Sequence, residues 1–303
     1  MIVEDSLNDP LASTKPEVSR RGFVSLGAGA AVFIGNAASA KAQTDDGFGK
    51  VHPPIVAEDD PAIIVSRPKL QPKAGSAIGA YAATPRTLTR RTPGVVVIQH
   101  IWGVDTSIRD TVRRLAKAGY IAIAPNLFDR LNAPSGDGGT DYKPFIAYAT
   151  KMYTEGSVPT DAIAAQEWAR AQAPDNSVGI TGFCMGGGIV LQSIIDSKAF
   201  AAASMFYGNV RPGSNANEPA KPSDFDFTSR ITTPLLGSFG ARDTSIKAED
   251  VSAMFARLTA PHALKIYAEA GHGFFDDQRD SYVPSAAADA WARTLAWFHQ
   301  YLG

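Results

Sequence analysis

Short runs of apolar, mostly β-branched residues alternate along this chain with longer segments of helical periodicity. The clearest run is Gly94–Ile98, which contains no polar position and is typical of a strand buried on both faces of a sheet. A helix is predicted after it, at about residues 106–118, because Ile108, Val112 and Leu115 fall on one side of that helix. Repeated alternation of this kind predicts an α/β fold, in which helices cover both faces of a mostly parallel central sheet.

The same patterns place the other elements. Further strands are predicted at residues 76–83, 121–124, 177–181, 201–207, 234–239 and 263–267. Further helices are predicted at about residues 159–171, 186–196 and 248–258, and at the C terminus. Residues 127–157 form a long excursion that we expect to cross the active-site end of the sheet. Right-handed crossovers bring the C-terminal ends of parallel strands to one edge, where active sites collect.

The N-terminal region has the features of an export signal. Residues 19–24 read Ser-Arg-Arg-Gly-Phe-Val, an apolar stretch of small residues follows at 26–38, and two overlapping Ala-x-Ala sites occupy 38–42. The apolar stretch is too short, and too rich in Gly and Ala, to span a bilayer stably. We therefore expect residues 1–42 to be a cleaved signal peptide, recognised by the twin-arginine export machinery, and the mature protein to be periplasmic without a membrane anchor. The alternative is an N-terminal tail with a chance arginine pair.

The rest of the chain divides into a linker and one domain. Residues 43–61 are acidic and aperiodic, and they are predicted to be a linker or a surface strap, whereas residues 62–303 are predicted to form a single folded domain. The formal net charge of the 303 residues is −1 and no basic stripe is present, which argues against a nucleic-acid partner. Cys184 is the only cysteine, so no intrachain disulfide can form.

Cys184 lies in a motif that presents a nucleophile. Gly182-Phe-Cys184-Met-Gly186 follows a predicted strand and opens a predicted helix, which is the context of a nucleophile elbow. The turn is sharp, so the neighbours of the nucleophile must be small, and the two glycines meet that need. The N terminus of a helix also favours a thiolate. The alternative is a buried structural cysteine beside tight packing between helix and sheet.

Two further residues have the positions that such a nucleophile requires. Asp243 follows the predicted strand 234–239, and His272 follows the last predicted strand, so the chain order is nucleophile, acid, histidine. None of the other four histidines has this order and position. We expect His272 to move the proton, Asp243 to orient its imidazole, and Cys184 to attack an ester carbonyl.

Backbone donors for the oxyanion are predicted at two places. One is the N–H of Met185, directly after the nucleophile, and the other is the N–H of Ile101, in the loop after Gly94–Ile98. The sequence contains no phosphate loop, metal-ligand cluster or cofactor motif, so we expect neither a cofactor nor a metal.

With these motifs in place, residues 94–303 resemble the dienelactone hydrolase family. The resemblance is carried by Gly-Phe-Cys-Met-Gly-Gly, Gly-Ala-Arg-Asp and Ala-Gly-His-Gly-Phe, and by residues 97–105, which look like the oxyanion loop of that family. It implies an α/β-hydrolase fold and a single-domain, cofactor-free enzyme that is usually monomeric and acts on a small ester or lactone.

Two positions depart from the archetypal members of the family, which open a lactone that bears a carboxylate. His100 replaces a glutamate that contacts the resting thiol, and Asp276 replaces an arginine that helps to hold the substrate carboxylate. We expect His100 to favour the thiolate of Cys184, unless it faces solvent or caps backbone groups, and Asp276 to disfavour carboxylate-bearing substrates. Lys143 and Arg279 are candidate replacements for the arginine.

An aromatic pocket is also expected. Together with His100, its candidate residues are Trp102, Tyr148, Tyr207, Phe274 and Phe275, each of which fits the core equally well. Two other functions stay open at this stage: a thioesterase or acyl transferase with the same three residues, and a periplasmic binding or redox-sensing module whose cysteine is not catalytic.

Overall fold

The structure of the protein is a computed structural model, and it describes residues 54–139, 141–155, 158–214 and 218–303. The strands are β1 (Ile63–Ser66), β2 (Lys69–Leu70), β3 (Ile78–Pro85), β4 (Gly94–Ile98), β5 (Ile121–Pro125), β6 (Val178–Phe183), β7 (Ala202–Phe206), β8 (Leu235–Gly240) and β9 (His262–Tyr267). The α-helices are α1 (Thr106–Lys117), α2 (Lys143–Glu155), α3 (Val158–Gln172), α4 (Met185–Asp196), α5 (Ala248–Phe255) and α6 (Pro284–Leu302).

The strands form one sheet with the order β1-β3-β5-β4-β6-β7-β8-β9, and β2 pairs with β3. All neighbours from β5 to β9 are parallel, and β1, β2 and β3 add antiparallel pairs at one edge. The prediction of a mostly parallel central sheet in an α/β-hydrolase fold is confirmed. The strands β4, β5, β6 and β7 are buried at every position, which explains why their sequences are nearly continuous apolar runs.

Helices pack along the whole sheet. Helix α1 contacts β3 and β5 and helix α6 contacts β7, whereas α3 packs against β4 and β5, and α4 packs against β6 and β7. Asp105 is the N-cap of helix α1, because its carboxylate accepts a hydrogen bond from the N–H of Ile108. Within the described ranges, no helix is long and apolar enough to cross a membrane.

The excursion at residues 127–157 holds a helix that the sequence did not reveal. Helix α2 buries Phe145, Ala149 and Met152 on one side, while Ile146 and Tyr153 stay exposed on the other. Apolar residues on both sides of the helix weaken its apolar periodicity, and this explains why the sequence pattern predicts no helix in the excursion. Tyr153 on α2 borders the same cavity as His100, which follows β4, and Cys184, which follows β6.

The last residues of the predicted linker pack on the domain. The N–H groups of Ile55 and Val56 donate to the carboxylate of Asp110 at 3.2 and 2.9 Å, and Arg113 Nε donates to the carbonyl of Val56 at 2.6 Å. Residues 54–56 are thereby tied to α1. The predicted signal peptide and the first part of the linker lie outside the described residues.

Candidate active site

Cys184 lies in a strained turn that requires glycine close by. It links β6 to α4 with φ of 55° and ψ of −118°, a conformation that non-glycine residues rarely adopt. A Cβ atom on Gly186 would lie 2.5 Å from the carbonyl oxygens of Ile98 and Gln99, so only glycine fits. The strained turn therefore holds the thiol above the sheet edge, at the first residue before α4.

The thiol, an imidazole and a carboxylate form a continuous chain of contacts. Cys184 Sγ lies 3.0 Å from Nε2 of His272, and Nδ1 of His272 lies 2.8 Å from Oδ2 of Asp243. The other carboxylate oxygen of Asp243 accepts hydrogen bonds from the N–H groups of Ser245 and Ile246, which hold it in place. The loops after β6, β8 and β9 thus bring together the three residues that the sequence singled out.

Electrostatics favour a thiolate and an imidazolium in this arrangement. Desolvation opposes charge on all three groups, but their mutual hydrogen bonds outweigh it. Hydrogen bonding to Asp243 and Cys184 raises the pKa of His272 to about 10, and hydrogen bonding to His272 lowers the pKa of Cys184. The pKa of Asp243 is also below its ordinary value, because it is hydrogen-bonded to His272. The arrangement is suited to nucleophilic attack by sulfur.

The two predicted backbone donors lie at the same site. The N–H of Met185 hydrogen-bonds the sulfur of Cys184 and helps to lower its pKa. Ile101 lines the same cavity as Cys184, in a turn closed by a hydrogen bond from the N–H of Gly103 to the carbonyl of His100. Both residues therefore lie beside the sulfur of Cys184, and the donor role of Ile101 stays a prediction.

His100 is buried in a cluster of charged side chains and does not face solvent. Its Nε2 lies 2.9 Å from Asp105 Oδ1, and its Nδ1 lies 3.5 Å from Asp276 Oδ2. Desolvation opposes protonation, but the two carboxylates outweigh it and raise the pKa of His100 above its ordinary value. The positive charge of His100 contributes in turn to the lowered pKa of Cys184.

Arg279 completes this cluster and neutralises Asp276. It donates to Asp105 Oδ2 at 3.1 Å, its Nε lies 3.8 Å from Asp276 Oδ2, and its guanidinium lies 4.5 Å from the ring centre of Trp102. With His100 protonated, the cluster holds two positive and two negative charges. Asp276 is therefore not the isolated negative charge that the sequence suggested, and Arg279 is already engaged by two carboxylates.

A cavity of about 880 Å³ opens above Cys184 and His272. Its walls include His100, Trp102 and Tyr207 among the expected pocket residues. Three expected residues lie elsewhere, because Phe274 and Phe275 are buried against other aromatic rings in the core and Tyr148 packs on Phe128.

Tyr207, in the wall of this cavity, has a strained backbone. Its φ is 35°, its side chain is buried, and its ring centre lies 5.2 Å from that of His272 in an edge-on contact. Burial raises the pKa of its hydroxyl well above the ordinary value, so it stays protonated. Strained backbone of this kind collects at functional sites, and here it packs a ring against the imidazole.

Helix α2, the residue before it, and the loops after β7 and β8 bring residues to the cavity that sequence reasoning missed. They are Tyr142, Tyr153, Asn209, Pro212 and Ile246. Tyr153 is on α2 and Tyr142 directly precedes that helix; a spacing of eleven residues places two side chains on one side of a helix, and this is the available signal. Among the described residues, no group of His, Cys, Asp and Glu is arranged to hold a metal ion.

Comparisons with known proteins point to one family. The model of the dienelactone hydrolase family matches residues 78–302. A protein of Escherichia coli K12 named "Putative carboxymethylenebutenolidase" is 35% identical over 253 residues, covering 82% of this chain and 92% of that protein. A protein of the same name from Methylorubrum extorquens is 33% identical over 253 residues, covering 81% of this chain and 84% of that protein. A crystal structure titled as a putative dienelactone hydrolase from Klebsiella pneumoniae matches with a TM-score of 0.67 and 32% identity, covering 79% of this chain and all of that one.

Proposed function

The chain belongs to the dienelactone hydrolase family of hydrolytic enzymes, and we propose that it cleaves carboxylic esters or lactones with Cys184 as the nucleophile. One observation carries the proposal: His272 joins the sulfur of Cys184 and the carboxylate of Asp243 through its two ring nitrogens, at 3.0 and 2.8 Å. Nucleophile, base and orienting acid are thus in hydrogen-bond contact before any substrate binds.

Acylation begins when the thiolate of Cys184 attacks the carbonyl carbon. The carbonyl oxygen becomes an oxyanion, which the N–H groups of Met185 and Ile101 stabilise. As the intermediate collapses, the bond to the alcohol oxygen breaks and the imidazolium of His272 gives that oxygen its proton. The products of this step are the alcohol, or the opened end of a lactone, and a thioester on Cys184.

Deacylation returns the enzyme to its starting state. Neutral His272 takes a proton from water while the water oxygen attacks the thioester carbonyl. The second oxyanion collapses and expels the thiolate, so the acid leaves and the thiolate–imidazolium pair forms again. Asp243 keeps Nδ1 of the imidazole protonated and Nε2 turned toward the sulfur throughout.

A substrate panel with matched variants tests this function. Turnover of p-nitrophenyl acetate, neutral lactones, carboxylate-bearing lactones and acyl thioesters is measured for the wild type, Cys184→Ala and Glu269→Gln. Glu269 precedes His272 in the same loop and does not line the cavity, so Glu269→Gln is the control. We expect Cys184→Ala to lose roughly 10³-fold or more in kcat/KM while keeping the thermal unfolding midpoint of the wild type.

The same panel also measures whether the site prefers neutral or carboxylate-bearing substrates. Because Arg279 is engaged by Asp105 and Asp276, we expect neutral esters or lactones to have higher kcat/KM than carboxylate-bearing ones. Undiminished turnover by Cys184→Ala would refute the nucleophile. A carboxylate-bearing lactone as the best substrate would refute the charge preference, and a clear preference for acyl thioesters would reassign the substrate class.

A further inference from the structure

A second, smaller cavity continues from the active-site cavity. It has a volume of about 230 Å³ and lies where the end of α2, the start of α3 and the middle of α4 meet. Tyr153 and Gln192 line both cavities, so the two adjoin at these side chains. The active-site cavity therefore extends from Cys184 along α4 toward this second space.

Tyr153 and Gln192 border both cavities, so a chain that runs from one cavity to the other must pass these two side chains. Tyr153 is near the end of α2 and is 57% exposed, whereas Gln192 is on α4 and half-buried. The Gln192 amide donates to Asp196 Oδ2 at 2.5 Å. Because Asp196 lines the second cavity, this hydrogen-bonded polar pair lies at one side of that cavity.

The walls of the second cavity suit a hydrocarbon. Val158 and Ile189 are buried and Pro159 adds a further apolar surface, while Ser193 Oγ is satisfied by the carbonyl of Ile189 at 2.7 Å. None of the described residues that line the cavity is basic, and Asp196 is its only charged residue. An anionic group would be repelled there, whereas an alkyl chain would leave water without stranding a polar group.

The position of His272 decides which arm of the ester reaches this space. The leaving oxygen must receive its proton from Nε2 of His272, so the alcohol arm lies beside the His272 loop. The second cavity contains no residue of that loop and is built on α3 and α4. The acyl arm therefore extends along α4 toward Tyr153 and Gln192.

We propose that the second cavity is an acyl-chain subsite, and that the preferred substrates are esters of medium-length, unbranched apolar acids. This proposal rests on the proposed function, and it defines the substrate class of the same site. The acyl carbonyl lies at Cys184, and the chain passes between Tyr153 and Gln192 and ends against Val158 and Ile189.

Chain-length profiles test the subsite. The rates of p-nitrophenyl esters from acetate to decanoate vary the acyl arm, and those of alkyl acetates from propyl to decyl vary the alcohol arm. Burial of each methylene in the cavity corresponds to about a fourfold gain in kcat/KM. We expect kcat/KM to rise along the acyl series up to about octanoate and to change little along the alcohol series. A flat acyl profile, or a rise along the alcohol series alone, would overturn the assignment.

Filling the second cavity provides a matched comparison. Val158→Trp places a large ring in the cavity, whereas Ile64→Trp adds a similar bulk to an exposed position of β1, at the edge of the sheet, which lines neither cavity. We expect the ratio of kcat/KM for octanoate over acetate to fall at least tenfold in Val158→Trp and to stay at the wild-type value in Ile64→Trp. Gln192→Trp, at the partly exposed border, should lower the same ratio and replaces Val158→Trp if that variant does not fold. An unchanged ratio in a folded variant would contradict the subsite.

Direct binding separates the subsite from the chemistry. Dodecanoate, as a probe, is titrated by calorimetry into Cys184→Ala and into Cys184→Ala with Val158→Trp. We expect binding to weaken at least tenfold in the double variant. If the wild type turned over no ester at all, the proposed function would fail, and the dodecanoate comparison would still decide for or against the subsite.

Discussion

The imidazole of His100 lies against the carboxylate of Asp105, with 2.9 Å between Nε2 and Oδ1, although both residues are almost fully buried. The second ring nitrogen faces another carboxylate, that of Asp276, at 3.5 Å. A neutral imidazole carries one N–H and would point a lone pair at one of these oxygens. Two carboxylates beside the ring favour its doubly protonated form, and they raise the pKa of His100 above its ordinary value despite burial.

Replacing His100 should make Cys184 less acidic. In His100→Gln the cation is gone, while Asp105 and Asp276 remain, so the pKa of the thiol rises. The pH dependence of alkylation by iodoacetamide reports this pKa, and we expect its midpoint to move to higher pH. His262→Gln, at the start of β9, is the control and should keep the wild-type midpoint. Superimposable profiles for the wild type and His100→Gln would show that His100 does not act on the thiol.

The same residue should make stability depend on pH. The pKa of His100 is higher in the folded protein than in the unfolded chain, where it is about 6.5. At a pH above about 6.5, folding is therefore accompanied by uptake of a proton. Its contribution is full below about pH 6.5 and is lost as the pH rises through the folded-state pKa. We expect His100→Gln to lower the free energy of unfolding by about 2 kcal/mol at pH 6, and by less at higher pH. Urea denaturation of the wild type and His100→Gln from pH 6 upward measures both free energies of unfolding. A difference between them that does not change with pH would contradict the prediction.

Gly136 should tolerate no side chain. A Cβ atom there would overlap the carbonyl oxygen of Trp102, which forms a wall of the active-site cavity. The loop is also fixed by Asp137, whose carboxylate accepts from Arg109 and from the N–H of Thr106. We expect Gly136→Ala to lower the free energy of unfolding by about 1–3 kcal/mol and to reduce kcat/KM. In the control Gly79→Ala, the nearest atom is 3.7 Å from the new methyl, so thermal unfolding should change little.

We propose that Arg20 and Arg21 direct export of the folded protein to the periplasm. Replacing both with lysine should leave the full-length precursor in the cytoplasm, because the twin-arginine machinery recognises the arginine pair. Immunoblots of cytoplasmic and periplasmic fractions measure this, with Arg90→Lys, in the folded domain, as the control. N-terminal sequencing of exported wild type should begin at Lys41 or Gln43. Normal export of the double lysine variant would exclude this route.

The sequence alone was enough to identify the parts of the protein that depend on local pattern. The strands β4 and β6 are apolar because both of their faces are covered. Such a run can be recognised from the local sequence alone. The elbow around Cys184 is equally local, because its strained turn requires Gly182 and Gly186 close by. The order of nucleophile, Asp243 and His272 then followed from the order of strands.

Tertiary structure decided what depends on residues far apart in the chain. Arg279 meets Asp105 across 174 positions and His100 meets Asp276 from the other end of the domain, and only these contacts show that the four side chains form one charged cluster. Tyr153 lines the cavity from a helix whose apolar periodicity is weak in the sequence. Phe274 is buried in the core although it is near His272 in sequence. Charge state and pocket membership are set by surroundings that long-range packing assembles, and no local pattern encodes those surroundings.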